Sequence, residues 1–267
     1  MKKIFLFLIA LALLVGTNAC KCSRSSRNLP DKSLKDQIAA FAPLPSGKEL
    51  LRSFTSLSPT EYTVLASAED YQGKPEASHI VFALGVQYYD ALMACKTNNK
   101  ARATQLSQTM LATPKMLELD IDTKTLDTDM KQLLKASNWS RLETYFDGFT
   151  KMVADSLWQN EEYELYTLYN LGTWMQGINR ISTHLLEDYQ AGATVVLHQH
   201  EALNSLLSNL ELMQDPAFTE APFFTQTLPL LTQIHQIILS DTNTNYTAEQ
   251  LTELQEASAQ LKSIFQQ

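Results

Sequence analysis

The stretch that most constrains this chain is Glu161–Gln190, EEYELYTLYNLGTWMQGINRISTHLLEDYQ. It carries no proline, and Leu168, Leu171, Met175, Ile178, Ile181 and Leu185 recur at steps of three or four. That spacing predicts a helix with a continuous apolar stripe, which is stable only when neighbouring helices cover it. At 1.5 Å per residue such a helix runs roughly 45 Å, long enough to be the spine of a bundle. Nowhere does a whole element alternate apolar and polar residues as a half-buried strand would. The expected class is all-α, a single multi-helix bundle-like domain that can be read as two related helical units packed together.

Caps and prolines divide the rest. A first helix is expected over Ser33–Phe41, stopped near Pro43 and Pro45. Ser46 with Glu49 has capping-box spacing, and Ser58-Pro59-Thr60-Glu61 is a cap followed by proline at the first helical position. Pro75 opens a long helix to about Asn98. A helix over Lys100–Leu111 follows, and Thr113-Pro114 starts a separate short one. Leu126–Ala136 is helical again, and Ser137 or Asn138 caps a helix carrying Trp139 to Leu157. Beyond the turn at Ala191–Ala193 one helix is expected over Thr194–Met213. Pro222 and Pro229 leave Phe223–Leu239 as either a kinked helix or a loop plus helix. Thr247 with Gln250 caps the last, which runs to about Phe265.

One internal similarity stands out. Phe82-Ala83-Leu84-Gly85 aligns with Tyr169-Asn170-Leu171-Gly172 at an offset of 87 residues, by numbering alone. Glycine inside a helix costs about 1 kcal/mol against alanine. It is tolerated where another backbone comes close, so Gly85 and Gly172 are expected to mark a helix crossing. A duplicated unit and a chance match both fit so short a pattern.

The N-terminus reads as an export signal over residues 1–19. Lys2 and Lys3 form a basic n-region, Ile4–Val15 an apolar run too short to span a membrane, and Gly16–Ala19 a small-residue exit. Cleavage after Ala19 fits simple secretion. It also fits the bacterial lipobox, which Thr17-Asn18-Ala19-Cys20 resembles, although leucine is usual at Thr17 and a small or β-branched residue at Asn18. On the second reading Cys20 carries the lipid (the palmitate-type acylation of a membrane lipoprotein), residues 20–30 form a tether, and 31–267 form the helical domain. Acyl chains on Cys20 would then be the membrane partner.

Full-length, the chain has a formal charge of −8; loss of Lys2 and Lys3 leaves 19 basic against 29 acidic side chains, or −10. That charge excludes non-specific nucleic-acid binding as a leading function. Cys22 and Cys95 either pair as a disulfide or leave Cys95 a buried thiol.

FALGVQYYDALMACK and its counterpart YNLGTWMQGINRIS, together with the signal and Cys20, resemble helical lipoproteins of uncharacterised activity from Bacteroidota-like bacteria. Leu84-Gly85 and Leu171-Gly172 match that outline over roughly residues 45–210, while Gln87-Tyr88-Tyr89 depart from the small residues expected after the glycine. The resemblance implies an all-helical fold and a location in the cell envelope, lipid-anchored, on the periplasmic or outer-membrane side. It implies no activity.

No metal cluster, nucleophile arrangement or cofactor loop is recognisable, so no cofactor, metal or catalytic residue is assigned. His198 and His200 are expected two apart on one helix, so they point about 200° away from each other and cannot share an ion without distortion. An alternative enzyme reading, hydrolase-like or metal-dependent, would draw on His184, His198 or His235 with Glu187. Glu161, Glu162 and Glu164 suit a helix start, and Asp120, Asp122, Asp127 and Asp129 suit caps and solvated surface. The aromatics carry two readings. Tyr88, Tyr89, Tyr169 and Trp174, with Gln176 as a polar point, either line a ligand groove for a peptide, glycan or apolar molecule or form an aromatic core. The favoured function is a non-catalytic interaction or accessory subunit, partnered by an envelope protein, peptide or glycan.

Overall fold

A computed structural model describes residues 44, 47–50, 62, 63, 65, 66, 74–240 and 245–266. These belong to one compact unit, Phe41–Gln267. The export signal, Cys20, Cys22, the tether, and the helices expected over Ser33–Phe41 and from Ser58 lie outside, or largely outside, the described residues. What is described is helical, with no strand among the described residues.

In chain order the α-helices are α1 (Gly47–Leu50), α2 (Ala77–Lys96), α3 (Lys100–Met116), α4 (Thr123–Ala136), α5 (Trp139–Gln159) and α6 (Tyr163–Glu187). A 3-10 segment, Ala191–Leu197, leads to α7 (His200–Glu211), α8 (Pro216–Thr219), α9 (Pro222–Ser240) and α10 (Ala248–Ile264). Local capping chemistry sets many of these starts. Asn99, Asp122 and Asn138 accept backbone N–H bonds at the heads of α3, α4 and α5. Thr247 and Gln250 close a reciprocal capping box on α10.

The core is built around α2 and α6, which share the most extensive contact in the molecule. From Ser78 to Cys95 every residue of α2 is buried, as expected of a helix that is apolar on all sides. It is more deeply enclosed than α6, the spine expected from sequence. Helices α3 and α5 cover α2, α10 lies along α6, and α9 closes over α10. Phe82 of α2 stacks on Phe265 just beyond α10, ring centroids 3.9 Å apart.

The two glycines meet at the α2–α6 crossing. A Cβ on Gly85 would overlap the carbonyl oxygen of Tyr169 and lie 2.6 Å from the Thr173 nitrogen. One on Gly172 would overlap the carbonyl oxygen of Phe82. The contact is reciprocal: each glycine backs onto the residue three positions before the other, as a local two-fold axis requires. The Thr173 hydroxyl donates to the Gly85 carbonyl at 3.3 Å across 88 residues, and Gln176 reaches Asp90 across 86. So nearly constant a separation means the two helices pass in the same sense.

Two element boundaries differ in kind from the sequence reading, and one that it left open is decided. Pro114 does not open a new helix. Helix α3 runs through it to Met116, and the chain turns at Glu118 (φ 55°), where the Pro114 and Lys115 carbonyls accept from Leu119 and Glu118. Of the two alternatives at Pro229, one helix holds rather than a loop plus helix: Pro229 sits inside α9, on an exposed side together with Thr225, whose carbonyl it leaves without an intrahelical donor. The single helix expected over Thr194–Met213 is instead a 3-10 segment, a non-helical Gln199 (φ −124°, ψ 44°) and then α7. Long-range bonds override the helical pattern there. The Thr194 hydroxyl accepts from the Tyr246 amide at 2.9 Å, and the Gln199 side-chain oxygen accepts from Trp174 Nε1 at 2.9 Å.

Because backbone atoms fill the space a methyl would need, Gly85→Ala and Gly172→Ala are each expected to destabilise the fold by about 1–3 kcal/mol or more, despite alanine's better helix propensity. Gly148 on α5 has nothing within 4 Å of its would-be Cβ, so Gly148→Ala should stabilise by up to about 1 kcal/mol. Chemical denaturation of the three variants checks both signs.

Candidate functional site

The residues expected to line a groove come together, but in a closed seam. Tyr88, Tyr89 and Trp174 are fully buried, and Tyr169 and Gln176 are 3% and 1% exposed. This burial favours the aromatic core over the groove: with no Cβ on Gly85 or Gly172 the helix backbones touch, and the aromatics pack around the contact. The Tyr88 hydroxyl donates to Asp147 Oδ1 at 2.8 Å. Tyr89 has no hydrogen-bond partner for its hydroxyl. Burial pushes the pKa of Tyr88, Tyr89 and Tyr169 upward, so these phenols stay neutral. Tyr163 and Tyr166 lie nearer the surface and meet Trp158 edge-on. The Tyr166 hydroxyl exchanges bonds with the backbone N–H and carbonyl of Leu44.

Beside the aromatics runs a polar strip, of which the sequence reading picked out Gln176 but not Asp90 or Arg102. Asp90, 2% exposed on α2, accepts from Gln176 Nε2 of α6 at 2.8 Å and from Arg102 Nη2 of α3 at 3.2 Å. The strip continues along α6 into α10. Asn179 donates to Ser258 Oγ at 3.0 Å and accepts from Lys262 Nζ at 3.4 Å. Burial raises the Asp90 pKa; the Gln176 hydrogen bond and the charges of Arg102, Arg180 and Lys262 oppose it without cancelling it. The signal was present in sequence: Asp90 is the one charged residue between Ile80 and Cys95. Cys95, near the end of that run, is a free buried thiol pushed up to about 12.

The histidines fall elsewhere. His198 and His200 are not on one helix. Gln199 between them (φ −124°, ψ 44°) breaks the helix and bonds Trp174, and the two imidazoles lie with ring centroids 5.9 Å apart. That corrects the expectation that they diverge. His184 Nδ1 stands 3.8 Å from Glu187 Oε2, and His235 bonds Asn204 at 2.6 Å. Among the described residues no three His, Cys, Asp or Glu side chains converge as metal ligands would.

The aspartates near the α4 start act as caps and surface partners. Asp122 caps α4, Asp127 pairs with Lys131, and Asp129 accepts from Tyr145. Glu162 is the N-cap residue of α6 without a side-chain cap bond, and Glu164 lies in its first turn.

Open space lies on the surface instead. A hollow of about 550 Å³ between α4 and α5 is walled by Leu126, Leu133, Phe149 and Met152, with Asp129 and Arg141 at its edge. Compared with known proteins, the chain matches no family model and no curated protein, and its fold matches no solved structure.

Removing one partner from a buried ion pair strands the other. Arg102→Met is therefore expected to destabilise the protein by about 3–5 kcal/mol at pH 7. The pH dependence follows from the raised Asp90 pKa. Between the unfolded value near 3.9 and the higher folded value, the folded state holds a proton that the unfolded chain has released. Stability from this group therefore falls as pH rises through that window. Relative to Asp90→Asn, the wild type should gain stability as pH is lowered from 7 toward 4, measured by denaturant titration at a series of pH values.

Proposed function

We propose that this protein is an exported envelope lipoprotein, acylated at Cys20, whose helical body serves as an interaction or accessory subunit. Its partner on this reading is an envelope protein, peptide or glycan, met on the periplasmic or outer-membrane side. The observation that carries the reading is the N-terminal order: Lys2-Lys3, the apolar run Ile4–Val15, then Ala19-Cys20.

Two features of the body support it. Among the described residues no helix is long and apolar enough to cross a membrane, so attachment on this reading falls to the lipid, whose several acyl chains hold where one is marginal. The buried polar groups of the core bond one another across helices, Asp90 to Arg102 and Gln176, and Asn179 to Ser258. They hold the scaffold, which leaves surface hollows to meet a partner.

Intact-mass analysis of the mature protein tests the assignment. The expected mass begins at Cys20 and carries lipid, and Cys20→Ser moves the protein out of the membrane fraction or leaves its signal uncleaved. An unmodified N-terminus, or cleavage at another bond, overturns it.

A further inference from the structure

The N-terminal end of α2 opens into a hollow of about 480 Å³ walled on one side by Phe218, Phe223 and Ile264. Helix α2 starts there without a side-chain cap. Glu76 is the N-cap residue (φ −68°, ψ 139°), yet its side chain makes no capping bond. The first amides with a backbone partner are those of His79 and Ile80, both to the Glu76 carbonyl. The amides of Ala77 and Ser78 are left at the open end of a 20-residue helix, where the aligned peptide dipoles favour negative charge.

A second, independent feature faces the same space. His79 is 8% exposed, wedged edge-on between Phe223 and Phe265 at 5.5 Å from each, and it lines the hollow. Its Nδ1 lies 3.1 Å from Ser78 Oγ, and its Nε2 makes no hydrogen bond. Burial holds the imidazole pKa below its ordinary value, so the ring is neutral at pH 7. Either tautomer then leaves one donor unused: Nε2–H when Ser78 donates to Nδ1, or the Ser78 O–H when Nδ1–H donates to serine. Lys74 adds a positive charge at the rim, and Glu76 is the one carboxylate among the lining residues. A buried polar pair with a spare donor, beside two uncapped amides and an aromatic wall, matches a ligand that is anionic at one end and apolar along the rest.

We propose that this hollow binds a small free carboxylic acid with an aryl or other apolar body. The carboxylate is received by the amides of Ala77 and Ser78 and by the Ser78–His79 pair. The body lies against Phe218 and Phe223. The volume falls within the roughly 300–1,000 Å³ of small-molecule sites. The proposal rests on the binding-subunit reading and names a ligand class for it.

Calorimetric titration of the full-length chain at pH 7 with 3-phenylpropionate and with its neutral amide tests the assignment. The acid should bind, and the amide should bind about tenfold more weakly, as for one lost charge-assisted hydrogen bond. Ser78→Ala and His79→Gln should each weaken the acid by about tenfold. Because His79 is packed in the core, the deciding variant is Glu76→Ser at an exposed position. Its hydroxyl takes the Ser78 amide, so relative to Glu76→Ala, which removes the same charge, it should raise the thermal midpoint while weakening the acid. No binding by the wild type, equal binding of acid and amide, or equal binding by Glu76→Ser and Glu76→Ala overturns the proposal. Tighter binding of an acetylated dipeptide ending in phenylalanine overturns the free-acid assignment. None of these results bears on the mass of the N-terminus, so this proposal can fail while the lipoprotein reading stands.

Discussion

Backbone-to-backbone contact at Gly85 and Gly172 is the constraint on which the rest of this fold depends. Two helices whose carbonyls occupy the space of each other's missing Cβ atoms approach closely, and every surrounding side chain must fit around that contact. Trp174, Tyr88 and Tyr89 can then be wholly buried, because the crossing leaves corners that only large rings fill at interior density. The same contact encloses α2 on all sides, since its remaining faces must be covered by α3 and α5. A side chain on either glycine would push apart the pair that the outer helices are built upon.

What was legible in the sequence was what is decided locally. Helix starts at Asn138 and Thr247 follow from a side chain reaching an amide three residues away, and both were readable. The glycine crossing was readable too, because two interior glycines in matching contexts are costly unless something approaches them. Boundaries decided at a distance were not. Nothing near Thr194 announces that its hydroxyl will meet the Tyr246 amide, 52 residues on, and break a helical pattern into a 3-10 turn. The choice between groove and core was not legible for a related reason. Aromatic residues at helical spacing look the same in sequence whether they line a cleft or fill a core, and only the closeness of the backbones distinguishes the two. His79 escaped attention because a lone histidine beside a serine has no pattern; its meaning comes from Phe223 and Phe265, far along the chain.

Asp90 addresses a problem that the crossing alone leaves open. A helix that is apolar all round can slide or rotate against its neighbours with little change in buried area, so hydrophobic burial sets its depth but not its register. The carboxylate at Asp90 removes that freedom. It has hydrogen-bond partners at one position only, with Gln176 at 2.8 Å on α6 and Arg102 at 3.2 Å on α3. A slip of one turn would leave a buried charge without them, at a cost of several kcal/mol. The raised pKa of Asp90 records what that arrangement costs, since the site tolerates the charge rather than favouring it. Gly85 and Asp90 thus divide the work on a single helix: the glycine permits close approach, and the acid fixes which residues meet.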